Sequence, residues 1–221
     1  MTISGAVNKT GILLICAVLT AGWSWNRFTG FPETAGLPLT IGLIGGFIVA
    51  LVTIFKKEWA PVTAPLYALL EGLVLGSVSA MYEARFHGIA IQAVGLTFGT
   101  LLTLLVAYRA GVIRATEKLK LGVIAATGGI AIFYLGQFVL GFFGVRFAAI
   151  NGSGAIGTGF SVLVVIIAAL NLVLDFDFIE NGARSGAPKY MEWYAAFGLM
   201  VTLVWLYLEI LRLLSKINSR D

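Results

Sequence analysis

Gly154-Ala-Ile-Gly-Thr-Gly-Phe-Ser-Val-Leu-Val-Val-Ile-Ile-Ala-Ala-Leu-Asn171-Leu-Val-Leu-Asp175-Phe-Asp177-Phe-Ile179 is the stretch whose reading decides the fold. From Gly154 to Leu174 it carries no charged side chain. A helix needs roughly 20 mostly apolar residues to cross a bilayer, and this run supplies them. Two aspartates close it, followed by Glu180. Carboxylates at membrane depth are costly, and they mark a pathway, a partner or a sensor.

The rest of the chain agrees with membrane depth. Its 221 residues are 59% apolar and 12% charged, with a mean hydropathy of +0.95. A soluble domain is about 45–50% apolar and about 25% charged. The composition therefore predicts an all-α integral membrane protein: one polytopic domain over 1–221, crossing as seven helices. The spans fall at about 10–27, 35–55, 61–82, 88–109, 120–144, 154–179 and 190–213. Lys56-Lys57-Glu58 closes the second. Pro61 and Pro65 open the third, where proline costs a helix least. Asn181-Gly182 ends the sixth, and Pro188 precedes the seventh. The first run continues into Trp23-Ser-Trp25, an aromatic pair suited to a membrane interface, so it reads as a span and not as a cleaved leader.

Charge placement sets the expected orientation. The N-terminus and the second, fourth and sixth loops share Lys9, Lys56, Lys57, Arg109, Arg114, Lys118, Lys120, Arg184 and Lys189. Arg27, Arg85 and Arg146 lie on the other side, with the C-terminal Arg212, Lys216 and Arg220. The loop bias predicts a cytoplasmic N-terminus in a cell (inner) membrane, and the basic C-terminus opposes it. The net charge of +4 is thus a topology signal and not a nucleic-acid footprint.

Several features point away from other classes. Cys16 stands alone and cannot form an intramolecular disulfide. His87 has no companions for a zinc site. Gly152-Ser-Gly154-Ala-Ile-Gly157-Thr-Gly159 lacks the preceding strand and the lysine of a phosphate-binding loop. There is no HExxH, no Ser/His pair and no cofactor fingerprint, so neither an enzyme nor a cofactor is expected. Glycines clustered inside spans, such as Gly42, Gly45, Gly46, Gly72, Gly76, Gly128 and Gly129, read as sites of close helix approach.

The intramembrane acids are the candidate site: Glu71, Asp175, Asp177, Glu192 and Glu209. Glu71 lies ten residues past Pro61, about 15 Å in and near the midplane. Asp175 lies six residues before Asn181-Gly182, about 9 Å from the surface. Asp175 and Asp177 are two apart, so they cannot face the same line on a helix. A bland alternative stands beside each: a solvated helix end for Asp175 to Glu180, an interhelical hydrogen bond for Glu71, and a partner of Arg212 for Glu209. Calcium takes oxygen ligands, and these acids supply several; a transient Ca²⁺ contact falls on Asp175 and Asp177.

Leu174-Asp-Phe-Asp-Phe-Ile-Glu180, Tyr67-Ala-Leu-Leu-Glu-Gly72, Ala187-Pro-Lys-Tyr-Met-Glu-Trp-Tyr194 and Trp205-Leu-Tyr-Leu-Glu209-Ile-Leu-Arg212 resemble the Bax inhibitor family, in particular its bacterial YccA-like branch. The resemblance implies six helices packed around a central C-terminal helix. It also implies a pH-sensitive Ca²⁺ leak, gated by protonation of a pair of acids on the last two helices. Asp175 matches the first acid. The string Leu-Tyr-Leu-acid places Glu209 as the second, whereas register on the following arginine places Thr202 there. The alternative the branch implies is a membrane interaction protein that modulates a membrane-bound protease.

Overall fold

A computed structural model describes residues 1–31, 36–144 and 148–219. Among them are α1 (Ile3–Gly30), α2 (Gly36–Phe55), a 3₁₀ turn (Lys57–Trp59), α3 (Ala60–Glu83), α4 (Ile89–Arg109), α5 (Glu117–Phe142), the short α6 (Ala148–Asn151), α7 (Ala155–Arg184) and α8 (Met191–Asn218). Seven of these helices are long and apolar enough to cross a membrane, and no strand occurs among the described residues. The all-α, seven-span expectation is met. Ala35, where the second span was expected to start, and the outer charges Arg146 and Arg220 lie outside the described residues.

Three boundaries differ from the sequence reading. The first helix begins at Ile3 and not near residue 10, because Thr2 caps it: the Thr2 hydroxyl accepts the Gly5 amide at 3.0 Å. The last helix runs on to Asn218, beyond residue 213. The sixth span does not stop at Asn181-Gly182. The Asn181 side-chain amide donates to Asp177 at 2.8 Å and Arg184 pairs with Glu180 at 2.5 Å, each one turn apart, and these bonds carry α7 through Gly182. The helix closes instead at Gly186, whose φ of 65° suits a glycine. There the Ala187 amide reaches back to the Gly182 carbonyl (3.0 Å) and the Gly186 amide to that of Ala183 (3.3 Å), a Schellman closure. Asp175 is therefore nine residues from the end of its helix, about 14 Å along the axis.

The chain divides into two compact units. The first comprises Met1–Ala90 and Asp175–Val204; the second comprises Ile91–Leu174 and Trp205–Asp221. The long helices α7 and α8 each contribute one part to either unit.

In the first unit α1 and α2 pack on α3 through glycines, as the sequence suggested. A Cβ on Gly42 would lie 2.7 Å from the Leu70 carbonyl oxygen, and one on Gly76 would strike the Ala21 backbone. Ser24 of α1 donates to the Leu73 carbonyl at 2.8 Å and meets Ser77 at 2.6 Å, so the seam is polar at its centre. The glycine rule does not extend everywhere. A Cβ added to Gly128 or Gly129 of α5 would meet no atom within 4 Å, so their role is not tight packing.

One end of the first unit gathers three separated parts of the sequence. The Met1 ammonium donates to the Ala187 carbonyl, Lys9 pairs with Glu192, and Lys57 lies 5.2 Å over the Tyr194 ring. The N-terminus, the α2–α3 junction and the α7–α8 turn thus share an end of the first unit.

Candidate functional site

The first unit holds Asp175, Glu71, Glu192 and Asp177, and their surroundings differ sharply. Asp175 projects from α7 toward α8. Its Oδ2 is buried and has no hydrogen-bond partner. Thr202 of α8 is the hydroxyl that lies beside its carboxyl. The Thr202 hydroxyl also lies 3.2 Å from the Gly198 carbonyl, one turn back. A hydroxyl has one proton to donate, and here it is directed to the carbonyl. Gly198 leaves space beside the acid: a Cβ there would sit 3.7 Å from Asp175 Oδ1.

Glu71 of α3 lies beside the Tyr67 side chain one turn earlier, and its Oε2 would lie 3.3 Å from a Cβ placed on Gly46 of α2. The Tyr67 ring meets Phe197 edge-on at 4.9 Å. Phe197 and Gly198 are neighbours on α8, so one turn of that helix lies beside Asp175 and beside the tyrosine partner of Glu71. Tyr67 lies on α3 itself, whereas the bland alternative for Glu71 was a hydrogen bond between helices.

Glu192 is a structural counter-ion. It is 3% exposed, and both its oxygens are occupied. Oε1 accepts the Thr2 amide at 2.9 Å and the Thr2 hydroxyl at 3.1 Å; Oε2 accepts Lys9 at 2.5 Å. Lys9 also lies 5.5 Å over the Trp193 ring. Asp177 accepts the Asn181 side-chain amide on the exposed side of α7. The carboxylates of Asp175 and Asp177 therefore do not converge. Among the described residues no group of three His, Cys, Asp or Glu side chains is placed to hold a metal.

Glu209 belongs to the second unit. It is 3% exposed. Its Oε1 accepts the Tyr134 hydroxyl of α5 at 2.9 Å and lies 3.4 Å from Arg212. Its Oε2 is buried without a hydrogen bond, like Oδ2 of Asp175, but here a guanidinium stands beside the same carboxylate. Arg212 donates to the Tyr134 oxygen at 2.6 Å and stacks over that ring at 5.0 Å, so the three form a closed triangle. The pairing of Glu209 with Arg212 read from the sequence is present. Between the two registers left open, the residue that faces Asp175 within its own unit is Thr202, while Glu209 is occupied by Tyr134 and Arg212.

Sequence reasoning missed Tyr67, Tyr134 and Lys216. The first had a signal, since Tyr67 and Glu71 stand one helical turn apart. The other two had none: Tyr134 is 75 residues from Glu209, and no local pattern couples them. Lys216 was counted as an outer loop charge, but it is 7% exposed and engaged inside the second unit. With Arg212 also engaged, two of the three C-terminal basic residues do not act as loop charges.

Seven apolar helices with buried carboxyls define a multi-pass membrane protein. A family model described as Bax inhibitor 1 like matches residues 1–219, so the chain belongs to that family. No individual curated protein and no solved structure matches it.

Proposed function

We propose that this protein is a pH-sensitive cation leak, with Ca²⁺ as the expected ion, gated by protonation of Asp175. The observation that carries the reading is the Asp175 carboxyl, buried within its helix against a neutral hydroxyl with one oxygen unpartnered. An orphan carboxylate oxygen in a buried place, with no cation beside it among the described residues, is expensive, and a proton or a cation is what relieves it. Glu71 extends the same line through Tyr67 and Phe197 in the first unit. The protein would act without covalent chemistry, in a bacterial inner membrane with its N-terminus in the cytoplasm, as a member of the YccA-like branch.

The other reading, an interaction protein that occupies a membrane protease, calls for a loose terminal segment to be seized. Residues 3–30 are one helix, and its start is fastened by Glu192 through Thr2 and Lys9.

The test is calcium flux into proteoliposomes at three values between about pH 6 and 8, with wild type beside Asp175→Asn. Flux that varies with pH in wild type and loses the variation in the variant supports the proposal. Absence of flux above empty vesicles at every pH removes it and returns the protease partner to first place.

A further inference from the structure

Lys216 is a buried ammonium with no acidic partner at its tip among the described residues. It donates to the Ile150 carbonyl at 2.8 Å, the Gly157 carbonyl at 2.9 Å and the Ser161 hydroxyl at 2.9 Å. An ammonium has three protons, and here it meets three oxygens, none of them charged. Buried lysines are ordinarily matched with a carboxylate. The carboxylate on this face of α8 is Glu209, two turns earlier, and its ion pair is with Arg212.

The oxygens are presented by the local fold. Gly157 and Ser161 stand one turn apart on α7, so their oxygens lie on one side of the helix. Gly157 has no side chain to shield its carbonyl, which an ammonium can therefore approach from the flank. Ile150 brings the third oxygen from α6. Within the glycine-rich stretch from Gly152 to Gly159, the Gly157 carbonyl thus meets a cation and not a phosphate.

We infer that Ile150, Gly157 and Ser161 form a monovalent-cation site whose resident occupant is the Lys216 ammonium, a cation tethered by its own side chain. Neutral carbonyl and hydroxyl oxygens replacing a hydration shell are the chemistry by which proteins hold dehydrated monovalent ions. Calcium is the wrong guest. It takes six to eight oxygens at about 2.3–2.6 Å, closer and more numerous than these. The guest class is ammonium and potassium-sized ions. While the lysine fills the site, the last turns of α8 are held to α6 and the first turn of α7 within the second unit. This inference does not rest on the leak, and its readouts are independent of flux.

The experiment is chemical rescue in the purified full chain. Lys216→Met keeps the apolar stem and removes the cation. Its thermal unfolding is followed in N-methylglucamine chloride, then with ammonium, methylammonium, potassium or calcium chloride substituted at constant ionic strength. The variant is expected to melt roughly 5–10 °C below wild type. Ammonium or potassium should restore at least half of that loss, calcium should not, and wild type should respond to none. Adding Ser161→Ala to the variant should abolish the recovery, since one oxygen is gone. A folded Lys216→Met that recovers with no monovalent cation, or recovers equally with calcium, overturns the site. A second measurement needs no variant: lysine-selective ¹⁵N NMR of wild type in micelles should show a slowly exchanging side-chain NH₃⁺ signal. If Lys216 gives a neutral-amine signal there, the tethered cation is overturned even if Lys216→Met cannot be purified.

Discussion

Two buried carboxyls, one in each unit, have been given opposite company. Glu209 in the second unit is closed in by a tyrosine hydroxyl and a guanidinium, with a buried ammonium two turns along its own helix. Asp175 in the first unit has a single threonine hydroxyl. Each keeps one oxygen without a hydrogen bond among the described residues, but only Glu209 has a cation beside the carboxylate. A carboxylate beside a fixed cation has its charge balanced whatever the solution does. One set against neutral groups must find its balancing charge elsewhere, in a proton or an ion. Glu192 sharpens the contrast, because it lies in the same unit as Asp175 yet is balanced by Lys9.

The most decisive way to break this comparison is at Asp175. Asp175→Asn should remove most of the pH response of flux, while Glu209→Gln should leave that response in place; proteoliposome assays on both variants compare the two units directly. If Glu209→Gln flattens the response and Asp175→Asn does not, the assignment of roles is reversed.

The next largest effect is expected at the balanced acid of the first unit. Glu192→Gln removes the charge that neutralises Lys9, and breaking a buried pair costs about 3–5 kcal/mol. Lys9 keeps 16% of its side-chain surface accessible, so the lower end, about 3 kcal/mol, is expected in thermal unfolding. Flux at neutral pH, corrected for folded protein, should be unaffected.

Smaller changes follow at the hydroxyls. Tyr134→Phe deletes the group that bridges Glu209 and Arg212 and should cost about 1–2 kcal/mol of stability, with no change in the pH response. Thr202→Val should cost about 1 kcal/mol, but it should move the midpoint of the pH response, because the group facing Asp175 is changed and the acid is kept. Two hydroxyl deletions of similar energetic size would then differ only in whether the flux profile moves. Glu71→Gln should have the mildest effect on folding, and a change in flux would place Glu71 on the ion's route.

Much of the fold was legible because membrane burial is written in composition. Runs such as Gly154–Leu174 leave no alternative to a spanning helix once every backbone group must be satisfied internally. Helix ends were less legible. Asn181-Gly182 carries the marks of a stop, yet two bonds one turn apart, Asp177 to Asn181 and Glu180 to Arg184, outweigh the propensity of one glycine. Gly72 and Gly76 were readable as contact points, whereas Gly128 and Gly129, which look alike in sequence, have open space around them. The acids themselves stood out from their lipid-like background. Their partners did not, because Lys9 and Glu192 are 183 residues apart and Tyr134 and Glu209 are 75 apart.

The sequence by itself determined that this is a seven-helix membrane protein, which side chains are costly at depth, and the family resemblance. Hydropathy, charge and turn residues are local properties, and local properties survive being read one residue at a time. Only the tertiary structure decided which of those costly groups is already compensated. Compensation depends on distances of a few ångströms between segments far apart in the chain. That is why Glu192 and Glu209 proved to be balanced acids, Asp175 was left with Thr202, and a lysine that looked like a loop charge was found inside a ring of oxygens.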